Sequence, residues 1–453
     1  MRKTRKSFGS LLLMVIMLAA LISGCSGGNS GNGGNSAQPS GNSGNSASTG
    51  TESEKPPEEV KLDNPNITIL YHTSKKQYEQ NKATNPDAYD ALWETVPEFE
   101  KKFGGKVNVV AVPWGDQKST LISMVNAGDQ VDVAQANDQN FPVYPLKKIL
   151  QPIDQYIDLK DSLWNKSVTS AFSFGGKPYA VGSTAAPIVI FYNKTMFEDN
   201  GVKTPAEYYA EGNWTWDAFR EVAKELTQDT DSDGKIDQFG FGWWDAGYAL
   251  MLASNGKTLL SYNADGTITT NYDSENVKEA MQFTQDALLK DKFIDRTKEG
   301  DYFNKEFKNG KLAMSAEYGF GGYNAFKSDY EIDFVPVPTG PKGEQGVGPG
   351  GLSGWSIPAV SKNPQGGAEF IKMLAKNELE VANANNVKLY GQEKVDLMNQ
   401  LASSILFAPI GVEKFFDANA EVMKGIKSGT PVGTFAAKAK GILEEGIKIT
   451  LTQ

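Results

Sequence analysis

The chain has 453 residues and a formal net charge of −10, and an acidic surface argues against nucleic acid as a partner, because phosphate backbones are bound by basic patches. His72 is the sole histidine and Cys25 the sole cysteine, which excludes a His-rich zinc centre and argues against Ser-His-Asp and Cys-His catalysis. There is no Walker loop and no strand-linked Gly-x-Gly-x-x-Gly, while hydrolysis by a carboxylate pair stays open because Asp and Glu are plentiful.

Residues 1–24 read as an export signal. Arg2, Lys3, Arg5 and Lys6 form a basic start, and Leu11 to Ile22 is an unbroken apolar run of 12 residues. That run is too short to span a hydrocarbon core of ~30 Å as a helix, but it fits the apolar region of a signal peptide. Leu21-Ile22-Ser23-Gly24-Cys25 follows and resembles the bacterial lipobox, in which the cysteine is acylated and becomes the new N-terminus. A lone cysteine in an exported chain makes no internal disulfide, and lipidation at Cys25 gives it a role; the alternative is an ordinary signal with a chance cysteine. Residues 25–60 are Gly, Ser, Asn, Thr, Ala, Pro and Glu with little else. They bury too little apolar surface to fold, and about 35 flexible residues reach roughly 30–35 Å, so they read as a tether. Residues 61–453 form the body, long enough for two lobes.

Within the body, Asn66 to His72 reads as a buried strand. Tyr89, Leu92, Trp93, Val96, Phe99 and Phe103 recur at helical spacing up to the Gly104-Gly105 stop. Lys106 to Val112 alternates and is β-branched, predicting a strand. A helix over Lys118 to Ala127 and a short strand over Val131 to Ala134 complete a β-α-β-α-β rhythm, the signature of an α/β lobe with helices on both faces of its sheet. Thr215 is placed to cap a helix over Trp216 to Leu226; Phe239 to Gly242 reads as a strand, and Val277 to Leu289 and Ala368 to Ala375 as helices.

Asp229, Asp231, Asp233 and Asp237 occupy positions 1, 3, 5 and 9 of a loop with Gly234 at position 6, the front half of an EF-hand loop. The carboxylates and the Lys235 carbonyl would supply hard oxygen ligands for calcium. Position 12, where a bidentate Glu is expected, is Gly240, and a metal-free Asx-rich turn is the competing reading.

Several segments, in order, resemble the family 1 extracellular solute-binding proteins, the group that includes maltose-binding protein. They are Met124 to Ile153 (MVNAGDQVDVAQANDQNFPVYPLKKILQPI), Phe191 to Phe197 (FYNKTMF), Asn213 to Thr227 (NWTWDAFREVAKELT), Phe307 to Tyr318 (FKNGKLAMSAEY) and the Gly350 to Leu374 block with Trp355. The resemblance implies a type II periplasmic-binding fold, an α/β architecture whose two lobes are joined by hinge strands and close on a ligand. By analogy the chain crosses near Tyr179 to Ala186, near Ala316 to Phe320 and near Ala375. Lobe one would then be about 62–180 and 320–375, and lobe two about 181–319 and 376–453. Acidic loops in this family also serve as structural calcium sites.

Sugar recognition uses aromatic faces against the apolar faces of pyranose rings and planar polar groups on hydroxyls. Carried over by segment, the resemblance puts His72, Trp114, Asn137, Asp138 and Gln139 on the cleft edge of lobe one. It puts Trp243, Trp244, Asp245 and Phe415 on that of lobe two, with Tyr318, Phe320 and Trp355 by the hinges. The expectation is a monomeric, non-enzymatic receptor that captures an oligosaccharide for an ABC importer, held by lipid on Cys25 to the extracellular face of the membrane. The alternatives are a secreted glycan-processing enzyme with a carboxylate pair and a sugar-sensing input to a membrane kinase.

Overall fold

The computed structural model describes residues 60–84, 89–295, 297–298 and 302–452. The export signal, Cys25 and the tether to residue 59 lie outside the described residues. No helix among the described residues is long and apolar enough to cross a membrane.

The first sheet grows from alternating apolar strands. Its order is Val107–Ala111, Ile67–Tyr71, Val133–Asn137, Ser353–Ser356, Ala180–Val181, the first three parallel and the last two antiparallel to their neighbours. Side chains alternate between faces at period two. Ile67, Ile69 and Tyr71 therefore share a face and pack with Leu92 and Phe99 of the helix Ala91–Phe103. Leu70 points the other way, to Leu121 of the helix Gln117–Ala127 and to Tyr144. Asp90 caps the helix Ala91–Phe103 by accepting from the Leu92 and Trp93 amides, and Gly104 ends it in the left-handed region at φ 76°, where a residue without Cβ is favoured.

The second sheet has the order Ile332–Pro336, Ala186–Asn193, Leu312–Tyr318, Phe239–Gly242. Thr215 caps the helix Trp216–Glu225, whose Phe219, Val222 and Ala223 join Ile190, Phe241 and the helix Glu275–Leu289 in one large core. Gly240 is required there, since a Cβ on it would meet the Ala223 carbonyl oxygen at 1.9 Å. The opposite face of this sheet packs Val189, Phe191 and Phe334 against Phe303, Phe307 and the helix Gln392–Ala402.

Among the described residues, three segments pass between the lobes. The chain leaves the first sheet after Ala180–Val181 and enters the second at Ala186–Asn193. It returns between Gly350–Gly351, paired with Ala186–Asn193, and Ser353–Ser356 in the first sheet. The last passage is the helix Pro364–Tyr390, roughly 40 Å long at 1.5 Å per residue. Its Ala368, Phe370, Ile371, Leu374 and Ala375 sit in the first lobe's core, while Val387 and Tyr390 pack on the second lobe.

Two expectations change here. The return does not come at Ala316 to Phe320, and residues 320–349 do not join lobe one. Ile332–Pro336 pairs antiparallel with Ala186–Asn193, placing Phe334 opposite Phe191, and Phe320, Phe326 and Phe334 fill one second-lobe cluster. The helix expected over Ala368 to Ala375 runs on to Tyr390, where Gly391 stops it with its amide on the Val387 carbonyl.

Candidate functional site: the cleft between the lobes

A cavity of about 350 Å³ lies between lobe-one loops and the segment that precedes the helix Phe415–Ser428. From lobe one come Trp114, Gly115, Lys118, Asn137, Gln139 and Asn140; the opposing wall runs from Ile410 to Asp417. Trp114 opens a short 3-10 turn beyond the strand Val107–Ala111. Asn137 ends the strand Val133–Asn137 and folds the next loop back on itself: its Oδ1 accepts from the Gln139 and Asn140 amides at 3.0 and 3.1 Å. Asn140 Oδ1 in turn accepts from the Asn137 amide at 2.9 Å, so two amide side chains fix the floor by satisfying local backbone donors.

The opposing wall is tied to this loop. The Ile410 amide donates to the Asp138 carbonyl at 2.8 Å and the Gly411 amide to the Phe141 carbonyl at 3.2 Å. A Cβ on Gly411 would meet the Phe141 and Gln139 carbonyl oxygens at 2.6 and 2.7 Å, so only glycine fits. The Tyr262 hydroxyl adds a bond to the Pro409 carbonyl at 2.6 Å. Beyond this strap Phe415 and Phe416 stand edge to face, with centroids 5.7 Å apart. Phe416 is 59% exposed, an unusual state for a large apolar ring that offers a free face at the cavity mouth.

The electrostatics are mixed. Burial holds the Lys118 ammonium below its ordinary range, with Lys147 adding to the effect and Glu413 opposing it; the Lys118 Nζ donates to the Gln139 carbonyl at 3.4 Å. Lys414 pairs with Glu445 at 2.5 Å. Burial pushes the Asp138 carboxyl up to about 6, against the hydrogen bonds from the Gln139 amide and its own.

Of the sequence-derived candidates, the cavity gathers Trp114, Asn137, Gln139 and Phe415. His72 stands behind Trp114, in an edge contact at 5.2 Å, with Nδ1 3.4 Å from Gln135 Oε1. Asp138 is half-buried beside the cavity. Trp243, Phe320 and Trp355 are core residues, 7%, 5% and 6% exposed. Trp243 belongs to the large core with Trp244 packed beside it, Phe320 stacks on Tyr390 at 4.5 Å, and Trp355 lies against Tyr71 at 5.8 Å. Tyr318 packs on the second-lobe core from the end of its strand. The backbone of Asp245 is in the 3-10 turn Trp244–Gly247; its side chain lies outside the described residues. Lys118, Glu413, Asp417 and the glycine strap escaped the sequence reading, and the Gly411 that follows Pro409 before two adjacent phenylalanines was the available signal.

In the acidic loop, oxygens of Asp229, Asp231 and Asp233 lie within 4.8 Å of one another. Asp237 is not part of that group: its carboxylate accepts from the Thr230 amide and hydroxyl at 2.9 Å. The Lys235 ammonium lies 3.2 Å from Asp233. Gly240, at the twelfth position, is committed to the strand Phe239–Gly242.

The family model described as Bacterial extracellular solute-binding protein matches residues 82–380. Diacetylchitobiose binding protein DasA of Streptomyces coelicolor is 25% identical over 319 residues, covering 67% of this chain and 70% of its own. A putative binding protein of Brucella abortus is 24% identical over 259 residues, 54% of this chain and 59% of that relative. Among solved structures, a cyclo/maltodextrin-binding protein complexed with maltotetraose superposes at TM-score 0.66 and 19% identity over 85% of this chain and 97% of its own. An extracellular solute-binding protein from Staphylococcus aureus in complex with maltose gives 0.64 and 17% over 85% and 98%. These likenesses show the two-lobed type II periplasmic-binding fold.

Proposed function

This chain belongs to the bacterial extracellular solute-binding protein family, and from that premise we propose that its cleft captures an oligosaccharide and delivers it to an ABC importer. The observation that carries the reading is the cavity itself, where Trp114 from one lobe faces Phe415 and Phe416 from the other across a floor of Asn137, Gln139 and Asn140. Rings stack on the apolar faces of sugars, and amide groups donate to and accept from hydroxyls in one plane. A relative named for diacetylchitobiose binding and neighbours holding maltose or maltotetraose support a glycan as cargo.

Capture works by differential affinity. A ligand that touches both walls favours the arrangement in which they approach, and a membrane partner can read that arrangement. The lipobox-like Cys25 and the Gly/Ser/Asn tether support a body held to the outer face of the cell membrane, acting as a monomer beside its permease. The acidic loop supports a structural calcium site, with Asp229, Asp231 and Asp233 as carboxylate ligands. A bound ion there would offset the mutual repulsion of three carboxylates and stiffen the approach to the strand Phe239–Gly242.

The test is a tryptophan-fluorescence and thermal-shift screen of the protein against maltotriose, maltotetraose, diacetylchitobiose and a set of short peptides. Saturable shifts with one glycan class support the reading. Shifts with peptides alone overturn the cargo class, and turnover of any glycan overturns the receptor role.

A further inference from the structure

One carboxyl touches all three segments that pass between the lobes. Glu378 lies on the helix Pro364–Tyr390, one turn beyond Ala375, where that helix leaves the first lobe's core. Its Oε2 accepts from the Ser183 hydroxyl at 2.7 Å. Ser183 is buried in the link between Ala180–Val181 of the first sheet and Ala186–Asn193 of the second. The Trp355 indole, from the strand Ser353–Ser356 on the return passage, lies beside this carboxyl and favours its charged form. From Trp355 a row of rings leads to the cleft: Tyr71 at 5.8 Å, then His72 at 4.3 Å from Tyr71, then Trp114 at 5.2 Å from His72. Trp114 lines the cavity.

We propose that Glu378 is the positioning residue of the hinge, its carboxyl pinning the three interlobe segments together and so setting the angle at which the two walls of the cleft face each other. This rests on the reading of the molecule as a two-lobed receptor. Rotation of one lobe against the other must move the Ser183 link, the Trp355 strand and the helix relative to one another, and so strains the Ser183 bond and the approach of Trp355 to the carboxyl.

The charge state of the pin is poised. Burial pushes the Glu378 carboxyl up to about 7, the Asp90 charge adds to the shift, and the Ser183 and Trp355 donors oppose it. The titratable groups that face it are Asp90 from the start of the helix Ala91–Phe103, Tyr71 from the first strand and Tyr89. Opening the hinge admits water to the carboxyl; because burial is the largest cause of the shift, this outweighs the loss of the opposing donors and returns the carboxyl toward its ordinary value. The enclosed arrangement therefore holds its proton more tightly, low pH favours it, and raising the pH through 7 favours the opened one.

The experiment is small-angle X-ray scattering of the full chain without sugar, from about pH 5.5 to about pH 8.5. In parallel, the Trp355 indole N–H resonance is followed by NMR and assigned by its loss in Trp355→Phe. The expected result is a radius of gyration that rises with a midpoint near 7, an indole resonance that titrates with it, and loss of both transitions in Glu378→Gln. Ser183→Ala, which removes a donor to the carboxylate, should move the midpoint upward, and this variant carries the test if Glu378→Gln does not fold. The proposal is overturned if the radius of gyration does not change with pH, if the indole titrates alone, or if Ser183→Ala leaves the midpoint in place. It is also overturned if the transition persists in Glu378→Gln, which would assign it to the neighbouring His72. No sugar enters these measurements, so failure of the glycan reading leaves their outcome intact.

Discussion

Asp138, on the lobe-one loop, and Gly411, on the strap bonded to that loop, carry opposite kinds of constraint. The Asp138 carboxyl is pushed up to about 6 by burial, with only backbone amides to hold its charge. Its folded value exceeds its unfolded one, so its contribution to stability is fully present below the unfolded value near 3.8 and is lost as pH rises through 6. Asp138→Asn should therefore leave stability near pH 4 little changed and raise it relative to the wild type at pH 7, by on the order of 2 kcal/mol. Urea unfolding at both pH values checks this, and equal differences at the two would remove the carboxyl as the cause. Gly411 is constrained by space alone, since any Cβ meets two carbonyl oxygens. Gly411→Ala should cost about 1–3 kcal/mol through displaced backbone and weaken glycan binding by pulling Phe415 and Phe416 out of register with Trp114. A variant with wild-type affinity in a calorimetric titration would show that the strap does not set the wall.

At the scale of elements, the acidic loop joins the helix Trp216–Glu225 to the strand Phe239–Gly242 and so connects the second lobe's core to its sheet. If the three grouped carboxylates hold calcium, saturating ion should raise the unfolding midpoint by mass action, with about 2.7 kcal/mol at a free concentration of 100 Kd. Chelator should reverse this, and Asp231→Asn should lower the affinity at least tenfold. A midpoint that ignores calcium in the wild type would leave the loop as a plain turn. Elements with strong periodicity were legible in the sequence: the first strand, the helix Ala91–Phe103 with its Gly104 stop, the helix Trp216–Glu225 with its Thr215 cap, and the strand Phe239–Gly242 all match their predicted spans to within two residues. What was not legible depended on distant partners. The second half of the helix Pro364–Tyr390 is mostly half-buried or exposed, so its apolar spacing fades although the helix continues. Ile332–Pro336 becomes a strand because Ala186–Asn193 pairs with it, information that its five residues do not hold. For the same reason Phe320 and Trp355 looked like cleft aromatics: the family resemblance set both beside a crossing, but the chain makes none at Phe320, and the face each ring turns to is fixed by Tyr390 and Tyr71.

For the whole molecule, the arrangement of walls decides how binding energy is divided. Trp114 is fixed to lobe one by the turn after its strand, and Phe416 to lobe two by the start of the helix Phe415–Ser428. Neither side chain is buried, so removing either should leave the ligand-free unfolding midpoint near the wild-type value. A glycan that engages both walls gains from each only when the lobes have come together. Loss of one wall then removes its direct contact, on the order of 1 kcal/mol for a ring face, and also part of the closure that the other wall relies on. Trp114→Ala and Phe416→Ala are therefore each expected to lower glycan affinity tenfold or more. The double variant should fall short of the product of the two losses, because the second truncation acts on a receptor that already closes poorly. Calorimetry gives the affinities, and scattering with and without maltotriose follows closure in each variant. If the two losses multiply exactly as independent sites do, and closure survives in both single variants, the walls act separately and the two-sided capture derived from the cavity is wrong.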